Sequence, residues 1–197
     1  MNEKKKIDRP DRMTRLSRRL IHSGAIVDVY EDIMQAPDQK TERWDYISHR
    51  KGAAAVLPVL PDGRLLMVRQ YRNAIEKETI ELPAGSKDTP EEDSLVCAAR
   101  ELEEETGYRS DNLKLLIRLS TTPAFCNETI DIFLARDLIK SEQHLDEHEY
   151  INVEAYPLDT LIDMILRQEI QDGRTIAAVM AYNALLQTET NKIKQKK

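Results

Sequence analysis

The chain has 197 residues, enough for one domain with a small appendage, and its 41% hydrophobic content supports a real core. With 29 Lys+Arg against 35 Asp+Glu the net charge is −6, which argues against a general nucleic-acid binder. There is no apolar run near the ~18 residues of a membrane helix, no signal-peptide stretch, and only two cysteines, Cys97 and Cys126, which point to a reducing, cytoplasmic setting rather than a disulfide or zinc framework.

In chain order, the residues up to His22 hold eight bases against three acids and read as a solvated, partly frayed terminus. Residues 24–34 mix alternation with β-branching and predict a strand, Pro37–Lys40 a turn, and Glu42–Ser48 a returning strand. Ala53–Leu60 and Arg64–Gln70 flank Pro61-Asp62-Gly63 and predict a β-hairpin, and Thr79–Leu82 a short strand ending at Pro83-Ala84-Gly85. A helix follows, with Thr89 as N-cap, Pro90 at its first position, Glu92 completing a capping box, Leu95, Ala98, Ala99 and Leu102 on its apolar face, and Gly107 as its stop. Leu113–Leu119, Ile130–Leu134 and Ile151–Tyr156 predict strands. Leu158, Leu161, Ile162, Ile165 and Leu166 share a helical face, and a last helix runs over about Thr175–Leu186. The elements predict an α/β fold, a mixed sheet between helices.

The last nine residues carry four lysines against Glu189; setting both basic ends aside leaves 17 bases and 31 acids between residues 23 and 188, a net of −14. Seven of those acids fall between Glu91 and Glu105, with Arg100 the one base among them. On a helix Glu101 and Glu105 share a face, with Glu104 beside them. Like charges at that spacing destabilise a helix by about 0.2–0.5 kcal/mol per pair, and the dipole disfavours anions in the last turn. A bound cation resolves the conflict; a solvated acidic face is the plainer alternative. Magnesium takes oxygen ligands and is commonly held by one or two carboxylates together with phosphate oxygens.

The run from Gly85 through Glu92 to Arg100-Glu101-Leu102-Glu103-Glu104-Glu105-Thr106-Gly107-Tyr108 resembles the Nudix box of the Nudix hydrolases. The second half, REUXEEXGU, matches at every fixed position; between Gly85 and Glu92 the chain is one residue longer than the family pattern, the departure falling at Ser86–Glu91. Val68–Arg72, Glu81–Gly85, Pro123 fifteen residues after Tyr108, and Thr122–Glu128 resemble the ADP-ribose pyrophosphatase branch. The resemblance covers about Gly24 to Leu186 and implies a Nudix-type α/β/α sandwich with a mixed β-sheet, plus an N-terminal antiparallel β element. On this reading residues 1–50 form that element, used for homodimerisation, and residues 51–197 the hydrolase domain.

The resemblance further implies that Glu101, Glu104, Glu105 and the Ala84 carbonyl hold Mg2+, with Mn2+ as the alternative ion. Gly85, Glu92, Arg100 and Gly107 are then structural members of the motif, and Glu92 already has a capping role. Glu104 and Glu105 would also take part in catalysis, and a late-loop glutamate, Glu147 or Glu149, would act as base or extra ligand. His148 between them reads as a bystander, and Cys97 as packing. Arg72 would contact substrate phosphate, with an exposed strand arginine as the alternative, and Glu128 would face a terminal ribose. Trp44 and Tyr30 would stack on adenine, with a core or interface role as the alternative. The implied reaction is hydrolysis of the diphosphate of ADP-ribose to AMP and ribose 5-phosphate, with no part for nucleic acid or membrane. Its alternatives are another nucleoside diphosphate sugar, an oxidised nucleotide, or a non-catalytic ADP-ribose sensor.

Overall fold

The structure, a computed structural model, describes residues 12–195, with side chains to residue 192. The lysine-rich start before Arg12 and the two final lysines therefore lie outside the described residues. The described residues divide into two compact units, one of residues 12–50 with 122–128 and one of 51–121 with 129–195.

The first unit is an antiparallel sheet of β1 (Thr14–Ser23), β2 (Val27–Gln35) and β3 (Thr41–His49) in that spatial order. Over Thr14–His22 strand β1 corrects the expectation of a frayed N-terminus, the earlier part of which lies outside the described residues, and β2 starts three residues later than predicted. Alternating charges support the pairing: Arg18 sends Nε and Nη2 to the carboxylate of Asp32 at 2.7 and 2.6 Å, and Arg19 pairs with Glu31 at 3.0 Å. A lone strand of this composition looks unstructured because its partners lie on β2. Residues 122–128 belong to the same unit and run along β3, with Ile47 N–H donating to Phe125 O at 2.7 Å and Asn127 N–H to Ile47 O at 3.2 Å.

The second unit contains β4 (Ala53–Pro58), β5 (Leu65–Arg72), β6 (Lys77–Glu81), β7 (Ala84–Ser86), α1 (Ser94–Thr106), β8 (Tyr108–Arg109), β9 (Asn112–Ser120), β10 (Thr129–Arg136), β11 (Ile139–Lys140), β12 (Asn152–Tyr156), α2 (Leu158–Leu166) and α3 (Gly173–Gln195). Its main sheet runs β7-β4-β10-β9, with β4 and β10 parallel; β12-β5-β6 and β11-β8 form smaller sheets. All six residues of β4 are buried. Ala53, Ala55 and Leu57 pack with Leu161, Met164, Ala178, Val179 and Tyr182 of α2 and α3, while Ala54 and Val56 face Cys97, Ala98 and Leu102 of α1. The alternation of a strand thus feeds two helical layers, giving the α/β/α sandwich with a mixed sheet.

That double burial overturns the predicted hairpin. The turn forms, with Gly63 N–H donating to Leu60 O at 2.9 Å and Leu60 N–H to Arg64 O at 2.8 Å, but the pairing ends at the Val59–Leu65 bridge. Strand β4 goes to β10 and β7, and β5 to β12 and β6, because a strand apolar on both faces needs a covered central position. Helix α1 also starts later than predicted. Its N-cap is Asp93, whose carboxylate accepts from Leu95 N–H at 2.7 Å, a stronger cap than Thr89 provides. Thr89 and Pro90 instead lie in a preceding turn, and Glu92 accepts from Asp88 N–H at 2.7 Å. Helix α3 outruns its predicted span at both ends.

Candidate active site

Two backbone segments meet at the C-terminal half of α1. Strand β6 ends at Glu81, and Leu82 N–H donates to the hydroxyl of Thr175, a fully buried residue at the start of α3, at 2.9 Å. Pro83 then directs the chain into β7, where Ala84 N–H donates to Glu105 Oε2 at 2.9 Å. At Gly85 a Cβ would lie 2.1 Å from Glu101 Oε1, so only glycine lets this strand lie against that carboxylate.

Glu101 and Glu105 are 8% and 2% exposed, whereas Glu104 stays partly open to solvent. Burial, followed by the backbone donor at Ala84 acting the other way and the charges of Glu101 and Glu149 adding to it, sets the Glu105 carboxyl at about 9. Burial raises Glu101 to about 7 against the pull of Arg100, with Glu104 and Glu149 adding to the rise. Arg100 organises the cluster: Nη1 lies 2.7 Å from Glu101 Oε1 and 3.0 Å from Glu104 Oε2, and Nη2 donates to Ser86 O at 3.0 Å. Cys97 is buried, and its thiol is pushed up to about 11 by that burial, which suits packing and not a nucleophile.

Among the described residues, no three His, Cys, Asp or Glu side chains stand close enough to hold an ion by themselves. The donors nevertheless suit a magnesium-like ion, which needs one or two carboxylates and completes its shell with water and phosphate. Glu101 and Glu105 are oxygen donors kept from water, burial raises the pKa of both, and the cradle at Gly85 is the width a side chain would fill.

The second unit therefore brings Ala84, Gly85, Arg100, Glu101, Glu104 and Glu105 together, with Glu92 in the preceding turn and Gly107 as the left-handed C-cap of α1 at φ 68°. Glu149 is half-buried and its charge bears on Glu101 and Glu105; Glu147 is exposed and does not figure among their influences. Arg72 sends Nε and Nη2 to Glu81 at 2.8 and 2.6 Å, and Glu105 feels its charge. Sequence reasoning passed over Glu81 and Arg174. Glu81 is 2% exposed and also receives Arg174 Nη2 at 2.6 Å, so one buried carboxylate orients two guanidiniums beside a cavity of about 420 Å³. The signal available was an acid in the apolar run Thr79–Leu82, which calls for a partner.

The first unit holds Trp44, Tyr30 and Glu128. Trp44 is 43% exposed and with Asp45, Ile47, Ala124 and Phe125 lines a cavity of about 440 Å³. Tyr30 packs 5.9 Å from Tyr46, and the Arg18 guanidinium lies 3.5 Å over Tyr46 and 5.5 Å from Tyr30, so Tyr30 already has partners. Glu128 Oε1 is 3.5 Å from His49 Nε2.

Comparison with known proteins places this arrangement. The NUDIX domain family matches residues 49–179. The chain is 33% identical over 166 residues to the ADP-ribose pyrophosphatase of Bacillus subtilis (strain 168), covering 83% of this chain and 89% of that one. It is 37% identical over 161 residues to the methanol dehydrogenase activator of Bacillus methanolicus, covering 81% and 86%. In fold it matches the crystal structure of an ADP compounds hydrolase at TM-score 0.81 and 22% identity, over 90% of this chain and 95% of that one. No helix among the described residues is long and apolar enough to cross a membrane. With its catalytic-box helix, its α/β/α layers and these matches, the chain belongs to the NUDIX family and is a pyrophosphohydrolase.

Proposed function

We propose that the protein hydrolyses the diphosphate of ADP-ribose, giving AMP and ribose 5-phosphate. The observation that carries this reading is the pair of buried glutamates, Glu101 and Glu105, held against the Ala84–Gly85 turn with Glu149 acting on both. The likeness to a named ADP-ribose pyrophosphatase supports this choice of substrate.

Glu101, Glu105 and the Ala84 carbonyl would hold Mg2+, or Mn2+ in its place, with Glu104 beside them. When bound, such an ion neutralises the diphosphate and lowers the pKa of a coordinated water. Arg100 bridges Glu101 and Glu104 and holds them in place. Arg72, fixed by Glu81, offers a guanidinium suited to a phosphate oxygen. Glu149 is the candidate base: it would take the proton as water attacks phosphorus and the bridging P–O bond breaks. Its half-buried position and its influence on both ligands favour it over Glu147.

In the first unit, the cavity beside Trp44 and Phe125 would take the adenine ring, with Trp44 as the stacking face and Glu128 as a hydroxyl acceptor. Tyr30 would support that wall through Tyr46. Strand β1 is the sheet's edge, exposed along all ten residues, with Leu16, Leu20 and Ile21 half open, and would pair or pack with a second copy to make a homodimer. Two free cysteines fit a cytoplasmic setting.

The test is turnover of the purified full chain with magnesium on ADP-ribose, ADP-glucose, GDP-mannose and an oxidised nucleoside triphosphate. ADP-ribose is expected to have the highest kcat/KM; equal or lower turnover refutes the substrate. The likeness to the methanol dehydrogenase activator favours a second reading, stimulation of a dehydrogenase. Turnover in the absence of any dehydrogenase establishes hydrolysis as the chain's own activity.

A further inference from the structure

The hydrolytic reading leaves a physical difficulty. Glu149 must stay near Glu101 and Glu105, both acidic, on a loop whose tip, Glu147 and His148, is exposed. A third carboxylate held half-buried beside two others calls for a loop that is fastened in place.

The tie is at the C-terminal end of α1. The last carbonyls of a helix have no intrahelical donor. Here Gly107 N–H takes Glu103 O at 2.9 Å, and the segment after β11 supplies the next donors. His144 N–H donates to Glu104 O at 2.9 Å, and the Gln143 side-chain amide to Glu105 O at 2.6 Å. Ser141 adds its N–H to Gly107 O at 2.8 Å and its hydroxyl to Glu103 Oε1 at 2.5 Å. Strand β11 pairs with β8 just outside this contact, so residues 139–144 are fastened along 103–109. Gly107 contributes a second way: a Cβ there would lie 3.2 Å from Gln143 N and 3.4 Å from Ser141 O, so the bare cap is also the bed on which the segment rests.

We propose that Gln143 is a positioning residue, whose amide grips the carbonyl of Glu105 and thereby holds the Glu149 loop over the acidic end of α1. The proposal rests on the hydrolytic role assigned above to Glu149. From His144 to Glu149 is five residues, a reach of about 17 Å when fully extended. A turn shortens it, with Glu149 N–H donating to Asp146 O at 3.0 Å. Anchoring the loop on the helix that carries Glu101 and Glu105 keeps base and ligands in one frame. Gln143 is the one side chain in this fastening that reaches the backbone of Glu105 itself.

The experiment uses the full chain with Gln143→Met, which keeps length and removes the donor, Gln143→Lys, which keeps a donor, Glu149→Gln, and the Gln143→Met/Glu149→Gln double variant. With ADP-ribose and magnesium, Gln143→Met is expected to lower kcat about 3- to 10-fold, the range one hydrogen bond supports, at unchanged KM, and Gln143→Lys to recover most of it. In the Glu149→Gln background the Met substitution is expected to cause no further loss. Amide hydrogen exchange over residues 141–149 should quicken in Gln143→Met, a readout independent of any substrate. Wild-type kcat in Gln143→Met, an undiminished loss in the Glu149→Gln background, or unchanged exchange each overturns the proposal. Wild-type kcat in Glu149→Gln, with quickened exchange in Gln143→Met, overturns instead the role given to Glu149 and leaves the fastening standing.

Discussion

Gly85→Ala tests the cradle with the smallest perturbation available. The added Cβ would sit 2.1 Å from Glu101 Oε1, 2.2 Å from Cδ and 2.4 Å from Oε2. Ordinary contact begins at 3.4 Å, so the nearest oxygen must retreat by the difference, 1.3 Å. The clashing group is the end of a side chain and not backbone, so the fold absorbs the change and the carboxylate moves. A displacement of about 1 Å at a reacting centre lowers rate by about 100-fold. The assay is kcat against magnesium concentration, with thermal melting alongside. The expected result is about a 100-fold fall in kcat, a higher half-saturating magnesium concentration and a melting temperature close to wild type. Gly173→Ala is the control, because nothing lies within 4 Å of a Cβ there. Activity and magnesium dependence like wild type in Gly85→Ala would refute the reasoning, and so would loss of the folded state, which would mean that the backbone and not the carboxylate bears the clash.

Glu105→Gln should abolish turnover while stabilising the metal-free protein. The folded carboxyl titrates near 9 against 4.5 for the ordinary group, so wild-type stability falls as pH rises from about 4.5 through about 9. Melting in a chelator should therefore show the variant above wild type at pH 8 and the gap closing towards pH 4. Glu81→Gln leaves Arg72 and Arg174 without their shared anion, and a broken buried pair costs about 3–5 kcal/mol, readable as a lower urea midpoint. Burial raises the Glu81 pKa, but the bonds from Arg72 and Thr79 and the charges of both arginines outweigh it and leave the group below its usual 4.5. The stabilisation is thus present above 4.5 and is lost as pH falls through the lower folded value. Trp44→Ala should raise KM for ADP-ribose about tenfold, the scale of one base stack, with kcat unchanged. Sedimentation should show the wild type as a dimer and a variant carrying Leu16→Glu and Leu20→Glu as a monomer; a dimer in both, or a monomeric wild type, would set β1 aside as the interface.

The sequence made α1 readable because both its stripe and its stop are local: Leu102 and Ala98 recur at helical spacing, and Gly107 supplies the left-handed cap. The carboxylate cluster was readable for the converse reason, since Glu101, Glu104 and Glu105 break local rules for helix ends. What escaped was set by distant partners. Thr14–Ser23 becomes a strand through Asp32 and Glu31 on β2, and Ala53–Pro58 leaves its turn partner because both of its faces need cover. Arg174 and Gln143 have no motif around them, and the motif that begins at Glu81 does not show what that carboxylate holds. Their meaning comes from pairings 93 residues apart for Glu81 and Arg174, and 38 apart for Gln143 and Glu105.

The charge distribution explains why Glu105 and not its neighbours is the most exacting position in the helix. The penalty for like charges in the last turn is answered for Glu101 and Glu104 by Arg100, which spans both. Ser141 meets Glu103. Glu105 receives one backbone N–H, from Ala84, and faces the charges of Glu101 and Glu149, with only the distant pull of Arg72 on its side. A body that carries −14 between residues 23 and 188 could have placed a lysine within reach of it and did not. A fixed lysine would silence the site permanently, whereas a divalent cation would supply the missing charge and leave open positions for a diphosphate. The acid excess that argues against nucleic acid is therefore compatible with a polyanionic substrate, since a divalent metal arriving with that substrate would meet the charge of Glu105.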